Sequence, residues 1–301
     1  MAELPARRGS MEVQMQAQAS GKTAFVFAGG GSFGAIQVGM LHALVAHGVV
    51  PDLVVGASVG AINCAYFAGN PTLAGVGQLE QLWCQLRRRT IFPMTISRVA
   101  GLFSRSPSLV DASGLRELIT QHLPYSLLEQ AALPLHVVAT GQLHGNPVCL
   151  SSGPAVDAIL ASCAIPAIFP PVLVGNEYLI DGAIASNTPV TTAVALGATR
   201  LIVLPTGYAC ALTEPPASAI ASALHALNML IAHQLVQDLE LLADRFDVLT
   251  VPPLCPLSAS AYDFSRASEL IARARQSTQQ WLQRGGLQQP RIPGALRPHV
   301  D

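Results

Sequence analysis

Apolar positions along the chain follow two rhythms. Short, β-branched blocks lie at about residues 23–27, 53–55, 135–140, 147–150, 178–180, 201–205 and 247–251. Between them run stretches with apolar residues at helical spacing, among them 35–47, 61–68, 188–196, 217–243 and 265–282. Strands that alternate with helices predict an α/β fold with a mainly parallel sheet. Gly141 and Gly145-Asn146 inside the 136–150 block predict a local hairpin. Pro205 and Pro215-Pro216 mark the passage to a helical part, whose last helix is capped by Ser265 and packs through Leu270, Ile271, Ala274, Trp281 and Leu282. The expected organisation is a polar, disordered tail over 1–21, one domain over 22–286 and a loose, proline-rich tail over 287–301. Within the domain, the core spans about 22–206 and the helical part 207–286.

Composition narrows the class. Half of the chain is apolar and 12% is charged, which is ample for a core that covers a sheet on both faces. A formal net charge of −1 leaves no footprint for nucleic acid. Six cysteines stand singly, without C-x-x-C or zinc spacing, and point to a reducing, cytoplasmic setting with no metal site. The most apolar run, Ala217 to Ala232, is shorter than the roughly 20 residues of a membrane span and reads as a core-facing helix. The first 21 residues lack the apolar core of a secretory signal.

Candidate chemistry begins at Ser58. Gly56-Ala57-Ser58-Val59-Gly60 follows the block Leu53-Val54-Val55 and precedes a small-residue helical stretch, the pattern of a nucleophile elbow. A tight structural turn is the alternative. Upstream, Gly29, Gly30 and Gly31 lie between a strand and a helix, where bare backbone N–H groups can hold an anion. In an acyl hydrolase that anion is the oxyanion of the tetrahedral intermediate. The same turn also fits G-x-G-x-x-G through Gly29, Gly31 and Gly34, with Asp52 downstream, so a nucleotide-binding Rossmann-type protein is the rival expectation. A P-loop does not fit, because Ala35 stands where its lysine belongs. Asp181 closes the block Tyr178-Leu179-Ile180, and is expected to meet Ser58 at the carboxyl edge of a parallel sheet or else simply to cap a turn. His225 and His233 follow Asp181 in the chain, as a Ser-Asp-His triad would require, but both fall in an apolar helical stretch.

Four blocks in this order resemble the patatin-like phospholipases: Gly29 to Gly34, Gly56 to Gly60, Ala161 to Pro171 and Asp181-Gly182-Ala183. The resemblance covers roughly residues 22 to 206. It implies a three-layer α/β/α fold and a cofactor-free serine lipid acyl hydrolase with a Ser58–Asp181 dyad. The oxyanion hole would lie on Gly29, Gly30 and Gly31, and the substrate would be a phospholipid or another acyl-ester lipid. An inactive scaffold of the same family is a further alternative. Many members carry Arg or Lys where this chain has Phe33. Ile165, Ile168 and Phe169 are candidates for the wall of an acyl pocket or for plain core. The stretch Leu79 to Arg105, with Trp83 and Arg87-Arg88-Arg89, is either a lipid-facing element for transient peripheral contact with a membrane or a helix packed on the domain. Burial beside Ser58 is expected to raise the pKa of Asp181 and make it a better base.

Overall fold

The computed structural model describes residues 21–87, 91, 110–207, 219–257, 260–288 and 292–296. The expected N-terminal tail, apart from Gly21, lies outside them, as do residues 289–291 and 297–301 of the expected C-terminal tail. Among the described residues, eight strands form one sheet: β1 (Lys22–Phe27), β2 (Leu53–Ala57), β3 (Leu135–Gly141), β4 (Pro147–Leu150), β5 (Val172–Val174), β6 (Glu177–Ile180), β7 (Ala198–Leu204) and β8 (Asp247–Thr250). The described helices are α1 (Gly34–Ala46), α2 (Val59–Gly69), α3 (Leu73–Gln85), α4 (Ser113–His122), α5 (Ala155–Ser162), α6 (Ala183–Ser186), α7 (Val190–Ala195), α8 (Ala219–Leu242) and α9 (Ala267–Gln283).

β8, β7, β1, β2 and β3 run parallel in that order, whereas β4 and β6 pair with β3 antiparallel and β5 continues from β6 antiparallel. The parallel strands are buried on both faces. Along β1, Phe25 and Phe27 enter one core, while Ala24 and Val26 enter the core on the opposite face. The first core is closed by α1, α2, α3 and α9, and the second by α7 and the carboxyl half of α8, through Leu235, Leu239 and Leu242. These lie beyond the Ala217 to Ala232 run expected to face the core; within that run Met229 is 42% and Leu230 67% exposed, so the inward face belongs to the helix's later turns.

The flanks of β3 position the site. β4 occupies one flank from Val137 to Thr140. The other flank is shared end to end by β2, which stops with Ala57 opposite Val138, and by β6, which arrives from the opposite direction and stops with Ile180 opposite Thr140. The next residues, Ser58 and Asp181, meet in the gap at the level of Ala139. This corrects the expectation from sequence: the Asp181 strand is not part of the parallel set, and the two residues converge because two strands run head-on.

α3 carries out the apolar pattern read at its end, but inward. Leu79, Leu82 and Trp83 are buried in the first core, as is Leu86 just beyond the helix, so these residues form no exposed surface for a membrane. Arg87 folds back onto the Cys84 and Leu86 carbonyls. Arg88, Arg89 and most of the stretch to Arg105 lie outside the described residues. Among the described residues, no helix is long and apolar enough to cross a membrane.

Candidate active site

Ser58 occupies a backbone conformation that side-chain-bearing residues seldom adopt, with φ 53° and ψ −129°. Such a conformation costs about 1–3 kcal/mol and persists only where its surroundings hold it in place. Here they do. The Ser58 N–H donates to Ser162 Oγ at 2.8 Å, and Ser162 donates in turn to the Val138 carbonyl at 2.6 Å. The thiol of Cys163, kept protonated by burial and by the nearby Asp181 charge, donates to the Ser58 carbonyl at 3.3 Å. The elbow also needs its glycines: a Cβ on Gly56 would lie 2.5 Å from the Gly60 carbonyl oxygen, and one on Gly60 would strike the Phe27 and Ala28 carbonyls.

The Ser58 hydroxyl donates to Asp181 Oδ2 at 2.8 Å. The other carboxylate oxygen accepts the Ala183 N–H at 2.8 Å, and Thr140 fixes the Asp181 backbone by donating to its carbonyl. Asp181 is only 3% exposed. Burial pushes its pKa up to about 6, against the two hydrogen bonds that pull it down. Among the described residues, no histidine hydrogen-bonds to Ser58 or Asp181, and His233 sits exposed on α8. The pair is a dyad.

The glycine turn lies beside the dyad. The Gly29 N–H donates to the Asn187 carbonyl at 3.0 Å, so it is already committed. Among the described residues the Gly30 and Gly31 amides donate to no protein group, and both residues line the cleft that contains Ser58 and Asp181. Of the three candidate oxyanion donors, the geometry leaves Gly30 and Gly31 free. The turn is held from behind by Thr206, which donates to the Gly29 carbonyl at 2.6 Å. Gln37 donates to the Ala28 and Leu204 carbonyls and accepts from Asn63, which also bonds the Gly34 carbonyl and takes the Trp83 indole N–H. Phe33, at the position where a cation was a possibility, is buried in the core.

Asp52 is remote in function. Its carboxylate accepts the Thr23 N–H at 2.7 Å and so ties together the amino ends of β1 and β2, at the opposite end of the sheet from the glycine turn. It cannot serve a ribose beside that turn, which removes the basis of the nucleotide-binding alternative.

Two clefts open from Ser58. One is walled by Ile62, Leu82, Trp83, Leu115, Phe169 and Phe264. The other holds Asp181, Gly30, Asn187 and Tyr262. Ile165 borders both, whereas Ile168 packs on the core. Among the described residues, no group of His, Cys, Asp and Glu is arranged to hold a metal ion. Sequence reasoning missed Ser162, Thr140 and Thr206, and also Gln37 and Asn63; the last two were signalled only by amides standing in apolar helical runs.

A patatin-like phospholipase family model matches residues 25–194. An uncharacterized NTE family protein of Mycobacterium tuberculosis is 29% identical over 182 residues, which cover 59% of this chain and 47% of that protein. The triacylglycerol lipase SDP1L of Arabidopsis thaliana is 27% identical over 169 residues, covering 50% of this chain and 20% of the lipase. Patatin-like phospholipase domain-containing protein 7 of Rattus norvegicus is 25% identical over 188 residues, covering 61% and 13%. The chain thus spans half or less of the length of these curated relatives. Among solved structures, VipD from Legionella pneumophila is similar over 89% of this chain and 66% of that one, with 16% identity and a TM-score of 0.45. The family match takes in more than half of the 301 residues, and the chain belongs to the patatin-like phospholipase family.

Proposed function

We propose that this protein is a serine lipid acyl hydrolase that works through an acyl-enzyme on Ser58. The observation that carries the proposal is the 2.8 Å hydrogen bond from the Ser58 hydroxyl to a buried carboxylate, at the head of an apolar cleft. As Ser58 Oγ attacks the ester carbonyl, Asp181 takes its proton. With a pKa of about 6, Asp181 is ionised at neutral pH yet more basic than an ordinary aspartate. The Gly30 and Gly31 amides hold the oxyanion, aided by the amino end of α2 directly behind Ser58. Asp181 then protonates the leaving alcohol, and water repeats the cycle on the acyl-enzyme. The apolar cleft takes the acyl chain, and the second cleft takes the alcohol part of the lipid.

Two finer readings accompany this one. Ile184 is 41% exposed and lines the second cleft, and Met229 and Leu230 lie exposed beside Ile231, which lines it too. Apolar side chains at the mouth of a lipid site support transient contact with a lipid surface. Cys64, Cys84, Cys149 and Cys163 carry free thiols, in keeping with a reducing, cytoplasmic setting.

The test is hydrolysis of short-chain nitrophenyl esters and of lysophospholipid micelles by wild type, Ser58→Ala and Asp181→Asn. Both variants should lose turnover while remaining folded. Undiminished hydrolysis by Ser58→Ala would remove the proposal.

A further inference from the structure

Asn187 is the polar group at the site that the cycle above leaves without a task. Asn187 is only 5% exposed, and among the described residues its Oδ1 has no hydrogen-bond partner. A buried carboxamide oxygen left unpaired costs about 1–3 kcal/mol, so its presence asks for a donor. Its location indicates which donor. A methyl group placed on Gly29 would strike Asn187 Oδ1 and also lie 3.1 Å from Ser58 Cβ, so the oxygen and the nucleophile border the same point beside the glycine turn. Asn187 lines the cleft of Ser58 and Asp181 on one side. On the other, it lines a small cavity behind the glycine turn that also borders Thr188 and Thr206. The Thr188 hydroxyl is likewise buried without a hydrogen-bond partner among the described residues.

An unpaired acceptor cannot bind the ester carbonyl, which is itself an acceptor, but it can take a hydrogen bond from an O–H group. We propose that Asn187 Oδ1 positions the water that hydrolyses the acyl-enzyme, with the Thr188 hydroxyl as a second polar contact on that water's path. The proposal rests on the Ser58 acyl-enzyme argued above. In that step one water O–H points at Asn187 Oδ1 and the other gives its proton to Asp181. The water oxygen bonds to the acyl carbon, the bond from that carbon to Ser58 Oγ breaks, and Asp181 returns the proton to Oγ. The fatty acid leaves and the resting dyad is restored. Such a position also explains how water reaches the ester when a lipid fills the mouth of the cleft.

The experiment follows the lifetime of acylated Ser58 by intact-protein mass spectrometry after mixing with a nitrophenyl ester, in wild type, Asn187→Leu and Thr188→Val. Asn187→Leu should deacylate about tenfold more slowly, the rate equivalent of one hydrogen bond, and lose clearly more in this step than in acylation. Thr188→Val should show a smaller slowing in the same step. Hydroxylamine, which carries its own strong nucleophile, should restore turnover of Asn187→Leu. The melting temperature of Asn187→Leu should equal or exceed that of wild type, because an unpaired buried amide is replaced by an apolar group of similar size. Should Asn187→Leu fail to fold, Asn187→Ala gives the same readout. Unchanged deacylation, or acylation and deacylation falling together, would overturn the proposal. A wild-type protein that forms no acyl-Ser58 at all would overturn the acyl-enzyme itself, and this proposal with it.

Discussion

The Gly29 amide donates to the Asn187 carbonyl at 3.0 Å, and this one hydrogen bond divides the glycine turn into a structural part and a chemical part. Gly29 anchors the turn to the segment that follows Asp181, and in the proposed mechanism Gly30 and Gly31 remain to face the oxyanion. Gly30 has φ +155°, and a Cβ there would collide with Thr206 Oγ1. Gly30→Ala should therefore displace one donor and lower kcat about 100-fold or more, with KM little changed. Steady-state kinetics on a soluble ester checks this, and an effect confined to KM would contradict the assignment.

In the proposed mechanism Asp181 sets the pH dependence. Its pKa of about 6 means that kcat/KM should rise with pH through a midpoint near 6 and level off above 7, since the base must be ionised to accept the proton. His225→Ala and His233→Ala should keep that profile. A profile that vanished in either folded histidine variant would replace the dyad with a triad.

The same shift has a sign for stability. Its folded-state pKa is raised above the ordinary 3.8, so the folded protein binds more protons than the unfolded chain between about pH 4 and 6, and stability falls as pH rises through that window. At about 1.4 kcal/mol per pH unit, the buried charge costs on the order of 3 kcal/mol at neutral pH. Asp181→Asn should therefore melt at a higher temperature than wild type at pH 8, with the gap closing toward pH 4. A variant less stable at pH 8 than at pH 4, relative to wild type, would contradict this.

Asn63 joins α2, α1 and α3 in one buried polar network. Asn63→Ala would leave the Trp83 indole N–H and the Gln37 Oε1 without their partner, and would remove one bond from the Gly34 carbonyl. The loss should be about 3 kcal/mol or more of unfolding free energy, read from the shift in denaturant midpoint. A shift under about 1 kcal/mol would show that the network is dispensable.

Leu118 lines the apolar cleft from α4. Leu118→Trp should shorten it, lowering kcat/KM for long-chain nitrophenyl esters several-fold and sparing the acetate. Equal loss on both would place the acyl chain elsewhere.

Much of this site is legible in the sequence, for identifiable reasons. Ser58 is legible because an elbow has a local grammar: an apolar strand, two glycines that permit close backbone approach, and a small-residue helix. The position of Asp181 is legible too, but the reason it reaches Ser58 is not, because strand direction depends on pairing partners far along the chain and β6 has four residues. β5 escapes notice because it is three residues long and follows Pro170-Pro171. The spacing of Leu79, Leu82 and Trp83 announces a helix, but spacing does not say whether its apolar side faces lipid or core. Gln37 and Asn63 have no motif at all; their meaning appears only when the helices that carry them are brought together.

Covalent labelling tests the Ser58–Asp181 dyad most directly. A fluorophosphonate reacts with an activated serine, and peptide mapping locates the adduct. The account predicts one adduct per chain on Ser58 in wild type, and a labelling rate in folded Asp181→Asn reduced by orders of magnitude. An adduct on another residue, or wild-type labelling in Asp181→Asn, would contradict it.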